Sequence, residues 1–301
     1  MASDEWTLVS RGSKRRQRQH TPKASRHPSA LSEPLDTTAR VSRAKEDALF
    51  GRISDISRAL RDDSLVIDAL QELAAHYKWT PTDSSQATER VLHVVCYGLG
   101  SFCSSSNAVH QLAYAHALTQ CITREHAHVS CIASVFDPVM NESDRLLAQR
   151  LGFSVIEHNE RGRRAVADDT LFFMPHCGQA LYQNVLLANW DAERLQRLTI
   201  IGNSFTAYSD RVLDRSARER SLLVRVAPFA HETALRSCVP RTHDAFALYE
   251  AAFNDTSVHA FTFEQATAAT ENEALKQLSR RLVEDAAADD ARDDELIITS
   301  S

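Results

Sequence analysis

A chain of 301 residues, 43 % hydrophobic and 25 % charged with a net charge of -6, has room for one large or two modest domains and a sizeable core. A mean hydropathy of -0.32, and the lack of any apolar run near the roughly 18 to 20 residues of a membrane helix, exclude a helical membrane protein. The polar, basic start carries no secretory-signal pattern, and six cysteines without a C-x-x-C pair oppose a zinc ribbon, so free thiols in a soluble intracellular protein are expected.

Residues 1–42 are rich in Ser, Arg, Pro and Thr without periodicity and read as a disordered basic segment. Within it, 11–18 (RGSKRRQR) has five basic side chains and no acid, which suits a nuclear-import signal, a weak nucleic-acid contact or a solvated tail. Trp6 is an aromatic that could dock on a partner. Over 43–80 the apolar residues Leu49, Ile53, Ile56, Leu60, then Val66, Leu70, Leu73, Tyr77, are spaced 4-3-4 twice, predicting a helical pair turned at Asp62-Asp63-Ser64. Trp79 to Ser85 reads as a linker around Pro81.

Strands and helices then alternate through 88–265. Strands are predicted at Val91–Cys96, Val129–Phe136, Phe153–Ile156, Thr170–Met174, Leu198–Ile201, Ser221–Val226 and His259–Phe263. Helices are predicted at 104–122, 142–151 and 179–190, with a last one near 264–285 that fades into an acidic tail closing the 266–301 segment. Such alternation implies a mostly parallel, Rossmann-like three-layer α/β domain with an N-terminal helical extension and disordered tails.

In an open α/β sheet ligands bind outside the carboxyl ends of the strands, and the unusual residues fall there. Gly98, Gly100 and Ser101 follow the first strand. Glycines and the next helix start could admit a phosphate, carboxylate or nucleotide, or could simply make a tight turn. Cys103 stands where G-x-G-x-x-G needs glycine, and Asp137 comes 37 residues after Gly100 rather than the expected ~20, so a dinucleotide fingerprint is not met. Asp137 could hold a ribose hydroxyl or act as a base, yet Asp before Pro138 is also a common turn former. His176 and Cys177 invite a nucleophile or metal ligands, but adjacent side chains diverge and no further ligands are in pattern; ligand contact by His176 is the milder reading. Asn203 and Ser204 could grip a ligand or cap a helix.

The segments GLGS at 98–101, VFDPV at 135–139, TLFFMPHCGQALYQNVLLANW at 170–190, IIGNSF at 200–205 and AFNDTSVHAF at 252–261 together resemble the SRR1-like family. The WTLVSRG start at 6–12 is similar to the start of its members, whereas Phe102-Cys103 departs from their first turn. The resemblance implies regulation of haem biosynthesis and of circadian clock-gene expression, through regulatory protein partners in the cytoplasm and nucleus. It brings no agreed reaction, cofactor or catalytic residue. Three expectations therefore stand: a regulatory protein, a nucleotide- or S-adenosylmethionine-dependent enzyme with a small-molecule ligand at the strand ends, and haem bound through His176 or Cys177. No membrane contact is expected, and nucleic acid only at the basic segment.

Overall fold

The computed structural model describes residues 37–79, 88–212 and 214–299, with side chains described as far as 288. The basic cluster, Trp6, the linker turn expected at Pro81 and the WTLVSRG start lie outside the described residues.

Two helices come first, α1 (Arg43–Leu60) and α2 (Ser64–His76). Ser42 and Asp63 begin them by accepting from Lys45 N–H and Leu65 N–H. Their apolar stripes bury Ile53, Leu60, Leu65, Val66, Leu70 and Leu73. Both pack on α3 (Ser106–Glu125), which follows β1 (Arg90–Tyr97). Trp79 is not spent on a linker: it is 3 % exposed and stacks on Tyr77 with ring centroids 5.5 Å apart.

The chain continues through β2 (Val129–Phe136), α4 (Glu142–Arg150), β3 (Ser154–Val155), β4 (Thr170–Met174), α5 (Gln179–Ala188), α6 (Ala192–Arg197) and β5 (Leu198–Asn203). Short helices α7 (Phe205–Arg211), α8 (Arg215–Arg220) and α9 (Leu222–Val226) lead to β6 (His231–Ala234), α10 (Phe246–Phe253) and β7 (Thr256–Ala260). The last helices are α11 (Phe263–Glu271) and α12 (Glu273–Thr299).

The seven strands form one sheet in the order β3-β2-β1-β4-β5-β7-β6. From β3 to β5 all neighbours are parallel, while β7 runs antiparallel to both β5 and β6. Strand alternation splits the core into two layers. Leu92, Val94, Cys96, Leu171 and Phe173 face α1, α2, α3 and α10, and Val95, Tyr97, Phe172, Met174 and Ile200 face α5, α9, α11 and α12. This is the three-layer, mostly parallel α/β architecture that the alternation predicts, with a mixed edge.

Three predicted elements differ. Ser221–Val226 is not a strand: Ser221 caps α9, its side chain accepting from Val224 N–H, and the apolar run LLVRV is buried as a helix. The strand there is instead His231–Ala234, an edge element with no apolar signal. The strand placed at His259–Phe263 begins earlier, at Thr256, and ends at Ala260, because Thr262 and Gln265 form a capping box that starts α11. The single helix read at 264–285 is two, α11 and α12, separated at Asn272, and the acidic run 284–295 lies within α12.

Candidate functional site

β1 pairs with β2 on one side and with β4 on the other, so the strand order reverses beside β1. The register ends level there, Tyr97 beside Phe136 and Cys96 beside Phe173. The loops after β1, β2, β4 and β5 therefore share one edge, and all eight residues singled out from the sequence lie on it.

Gly98 turns the chain at φ +71° and Gly100 at +84°, conformations open to glycine without strain. The Asp137 carboxylate braces this turn, accepting from Gly100 N–H at 2.7 Å and from Val139 N–H at 2.9 Å. Ser101 is buried, and its carbonyl accepts from Ser105 N–H at 2.9 Å, leading into the Ser105 cap of α3. Over the turn sits Cys177: a Cβ built on Gly98 would lie 2.5 Å from its Sγ. The thiol points at the Tyr97 carbonyl, 3.4 Å away. Burial and the nearby Asp137 charge push the Cys177 thiol up to about 12, so it stays protonated and is a poor nucleophile near neutral pH.

His176 has φ +56°, an uncommon left-handed conformation for a side-chain-bearing residue. Asn203 holds it there, its Oδ1 accepting from His176 N–H at 2.7 Å. The His176 ring donates from Nε2 to the Ala252 carbonyl at 3.0 Å. Asn203 is also fixed from behind, because its N–H donates to the Tyr182 hydroxyl at 2.8 Å while that hydroxyl donates to the Met174 carbonyl. Ser204 caps α7 through Ala207 N–H at 2.9 Å. Each of these polar groups thus has a partner in the loops or in the helices beside them.

Two hollows open on the same edge. One, of about 520 Å³, lies past β5 between β6, β7 and α10 and includes Ser204, Glu232, Arg236, Arg241, Tyr249 and Asp255. Burial opposes ionisation of Glu232, but hydrogen bonds from His259, Ser204 and Thr206 hold its carboxyl below the ordinary range. Thr206 supplies its N–H at 3.0 Å and its hydroxyl at 2.8 Å. The His259 ring beside it is fully buried and stacked on Phe205, 3.7 Å between centroids. The other hollow, of about 380 Å³, lies beside Gly98 between Phe136, Pro138, the 159–162 loop and the start of α5. Gly98 and Ser204 thus line different hollows, while Asp137, His176, Cys177 and Asn203 line neither. Among the described residues no group of three His, Cys, Asp or Glu could hold a metal ion.

Several residues of this edge escape a reading by residue type. Tyr182 bridges β4 and β5, and the fully buried Asn189 ties the 164–166 backbone to α5, accepting from Val166 N–H at 2.8 Å and donating to the Arg164 carbonyl at 2.9 Å. Tyr97 donates to Glu160, which Arg164 grips with two nitrogens at 2.8 and 2.9 Å. Tyr182 and Asn189 fall inside the 170–190 block that carries the family resemblance, which is the signal that marks them.

Residues 66–260 match the SRR1 domain, well over half of the chain and all of this edge. The chain belongs to the SRR1-like family. It is 34 % identical over 235 residues to the SRR1-like protein of Mus musculus, covering 72 % of this chain and 92 % of that protein. It is 35 % identical over 175 residues to Protein SENSITIVITY TO RED LIGHT REDUCED 1 of Arabidopsis thaliana, covering 58 % of this chain and 60 % of that one. A Drosophila melanogaster SRR1-like protein is 30 % identical over 172 residues, covering 57 % and 55 %. No solved structure matches the chain. The matched range takes in every loop of the carboxyl edge. Among the described residues no helix is long and apolar enough to cross a membrane.

Proposed function

We propose that this SRR1-like protein is a regulatory protein of haem biosynthesis and circadian clock-gene expression, acting through protein partners in the cytoplasm and nucleus. The observation that carries the reading is the closed polar wiring of the signature loops. Asp137, His176, Asn203, Ser204 and Tyr182 hold one another and the backbone, which builds a rigid recognition edge and leaves no nucleophile aligned with a base. The relative named for red-light sensitivity supports a regulatory role. Haem bound through His176 or Cys177 is disfavoured, because one ring donates to the Ala252 carbonyl and the other group is a buried, protonated thiol.

Cells depleted of the protein are the test. A clock reporter should lose amplitude or shift period, and cellular haem should change, both restored by the wild-type chain. Restoration should fail with Asn203→Ala, which releases the His176 loop. Unchanged rhythm and unchanged haem on depletion would overturn the reading.

A further inference from the structure

The hollow of about 520 Å³ past the carboxyl ends of β5 and β6 holds polar groups that the fold itself does not use. Tyr249 lines it and is only 7 % exposed, its ring packed against His110 and Phe253 at 5.8 and 5.9 Å between centroids. A tyrosine buried to this extent ordinarily bonds through its hydroxyl. The Tyr249 hydroxyl has no hydrogen-bond partner among the described residues, and it is not sealed in the core either. The open space it meets is the hollow, where Thr256 and Ser257 stand beside it.

The charges of the lining divide into spent and unspent. Glu232 accepts from the Thr206 N–H and hydroxyl with His259 at 3.7 Å, and Asp255 pairs with Arg211 at 2.9 Å. Arg236 and Arg241 are exposed, and neither guanidinium has a hydrogen bond or ion pair among the described residues. Of the carboxylates there, Glu250 alone is without such a partner. Two unspent cations against one unspent carboxylate favour an anion. Helix α10 starts at Phe246 on the same wall with no side-chain cap, which adds free N–H groups and the positive end of a helix dipole.

These features select the occupant. Paired guanidiniums at a helix start match the oxygens of a phosphate monoester. An acceptor carboxylate and a row of hydroxyls match a body rich in hydroxyl groups, and the Phe246 ring offers a flat surface for its C–H face. A purely apolar anion would leave Tyr249 and Glu250 unpaired on binding. The volume lies within the roughly 300–1,000 Å³ of ligand pockets. We propose that this hollow binds a pentose or hexose monophosphate, with the phosphate on Arg236 and Arg241 and the sugar hydroxyls on Tyr249 and Glu250. The site goes beyond the regulatory reading and does not depend on it; either can fail while the other stands.

Isothermal titration of the full chain with ribose-5-phosphate and glucose-6-phosphate tests it, with ribose, glucose, inorganic phosphate and adenosine monophosphate as separate arms. At least one sugar phosphate should bind saturably. Its parent sugar and inorganic phosphate should each bind about tenfold more weakly or worse, since each lacks half of the contacts. Arg236→Gln with Arg241→Gln should weaken the sugar phosphate about tenfold or more while circular dichroism shows the wild-type fold; if the pair does not fold, Arg241→Gln alone takes its place. Tyr249→Phe removes a hydroxyl that the fold does not use, so Tm should stay within about 2 °C. Sugar phosphate affinity should nevertheless fall about three- to tenfold. No saturable heat from either sugar phosphate at millimolar concentration overturns the proposal. So does undiminished binding by the folded arginine variant or by Tyr249→Phe, and so does adenosine monophosphate or inorganic phosphate binding as tightly as the better sugar phosphate.

Discussion

Replacing Gly98 by alanine would put a Cβ 2.5 Å from Cys177 Sγ, at a backbone φ of +71°. Two separable costs follow. The left-handed conformation costs a non-glycine residue about 1–2 kcal/mol, and overpacking a closed site costs about 1–3 kcal/mol. Gly98→Ala should therefore lose about 2–5 kcal/mol, or roughly 4 to 20 °C in Tm for a domain of this size. Cys177→Ala alone removes a weak thiol hydrogen bond and a small buried group, at about 1 kcal/mol. In the double variant the overpacking vanishes while the backbone cost persists, so the two changes should couple favourably by about 1–3 kcal/mol. Urea denaturation of the four proteins, at one pH and with matched m-values, measures this cycle. Additivity within about 0.5 kcal/mol would show that the thiol does not close on the turn.

Tyr182→Phe should cost about 1–3 kcal/mol in the same assay, because the lost hydroxyl leaves the Met174 carbonyl and Asn203 N–H unpaired in the core; an unchanged midpoint would contradict the bridge. Lys78, exposed just past α2 with φ +54°, should gain about 0.5 kcal/mol on replacement by glycine, which suits a left-handed helix end; destabilisation would place the strain elsewhere. Glu232 has a depressed folded pKa, so its stabilisation is present above the unfolded carboxyl value of about 4.3 and is lost as pH falls through and below it. Glu232→Gln should therefore flatten the fall in stability below about pH 5, seen in melts from pH 6 to 3; parallel curves for the two proteins would reject that linkage.

The architecture was legible where burial makes a strand unmistakable. Val91–Cys96, Val129–Phe136 and Thr170–Met174 are apolar runs stopped by Gly or Pro, and each proved to be a strand, with Thr170–Met174 buried along its whole length. The run at 221–226 is equally apolar and β-branched, yet it is a helix. A short apolar stretch buried on all sides has no period to read, and only the Ser221 cap separates the two outcomes. HETA at 231–234 carries no apolar pattern because an edge strand buries little, so its pairing to β7 was invisible. The antiparallel return of β7 likewise has no local mark. At the edge itself, Gly98 and Gly100 were readable as a tight turn, and the structure gives both a positive φ. That Cys177 would fill the space above Gly98, and that a hollow would instead lie against Phe136 and Arg161, depends on loops far apart in the chain.

The Tyr77 hydroxyl at the end of α2 lies within hydrogen-bond reach of the Thr170 and Arg197 carbonyls and the Thr199 hydroxyl. These partners lie 93 to 122 residues downstream. At a synthesis rate of about 5–20 residues per second, a nascent chain waits roughly 6–24 s after Tyr77 is made before Thr199 exists. For most of that interval, until Met174 has been made, β1 lacks β4, the neighbour that pairs along one of its edges, and β4 in turn lacks β5 until the interval ends. The protein is thus born with the central strand of its sheet short of one partner, and its yield in a cell should be governed by chaperone supply during translation more than by the stability of the finished fold.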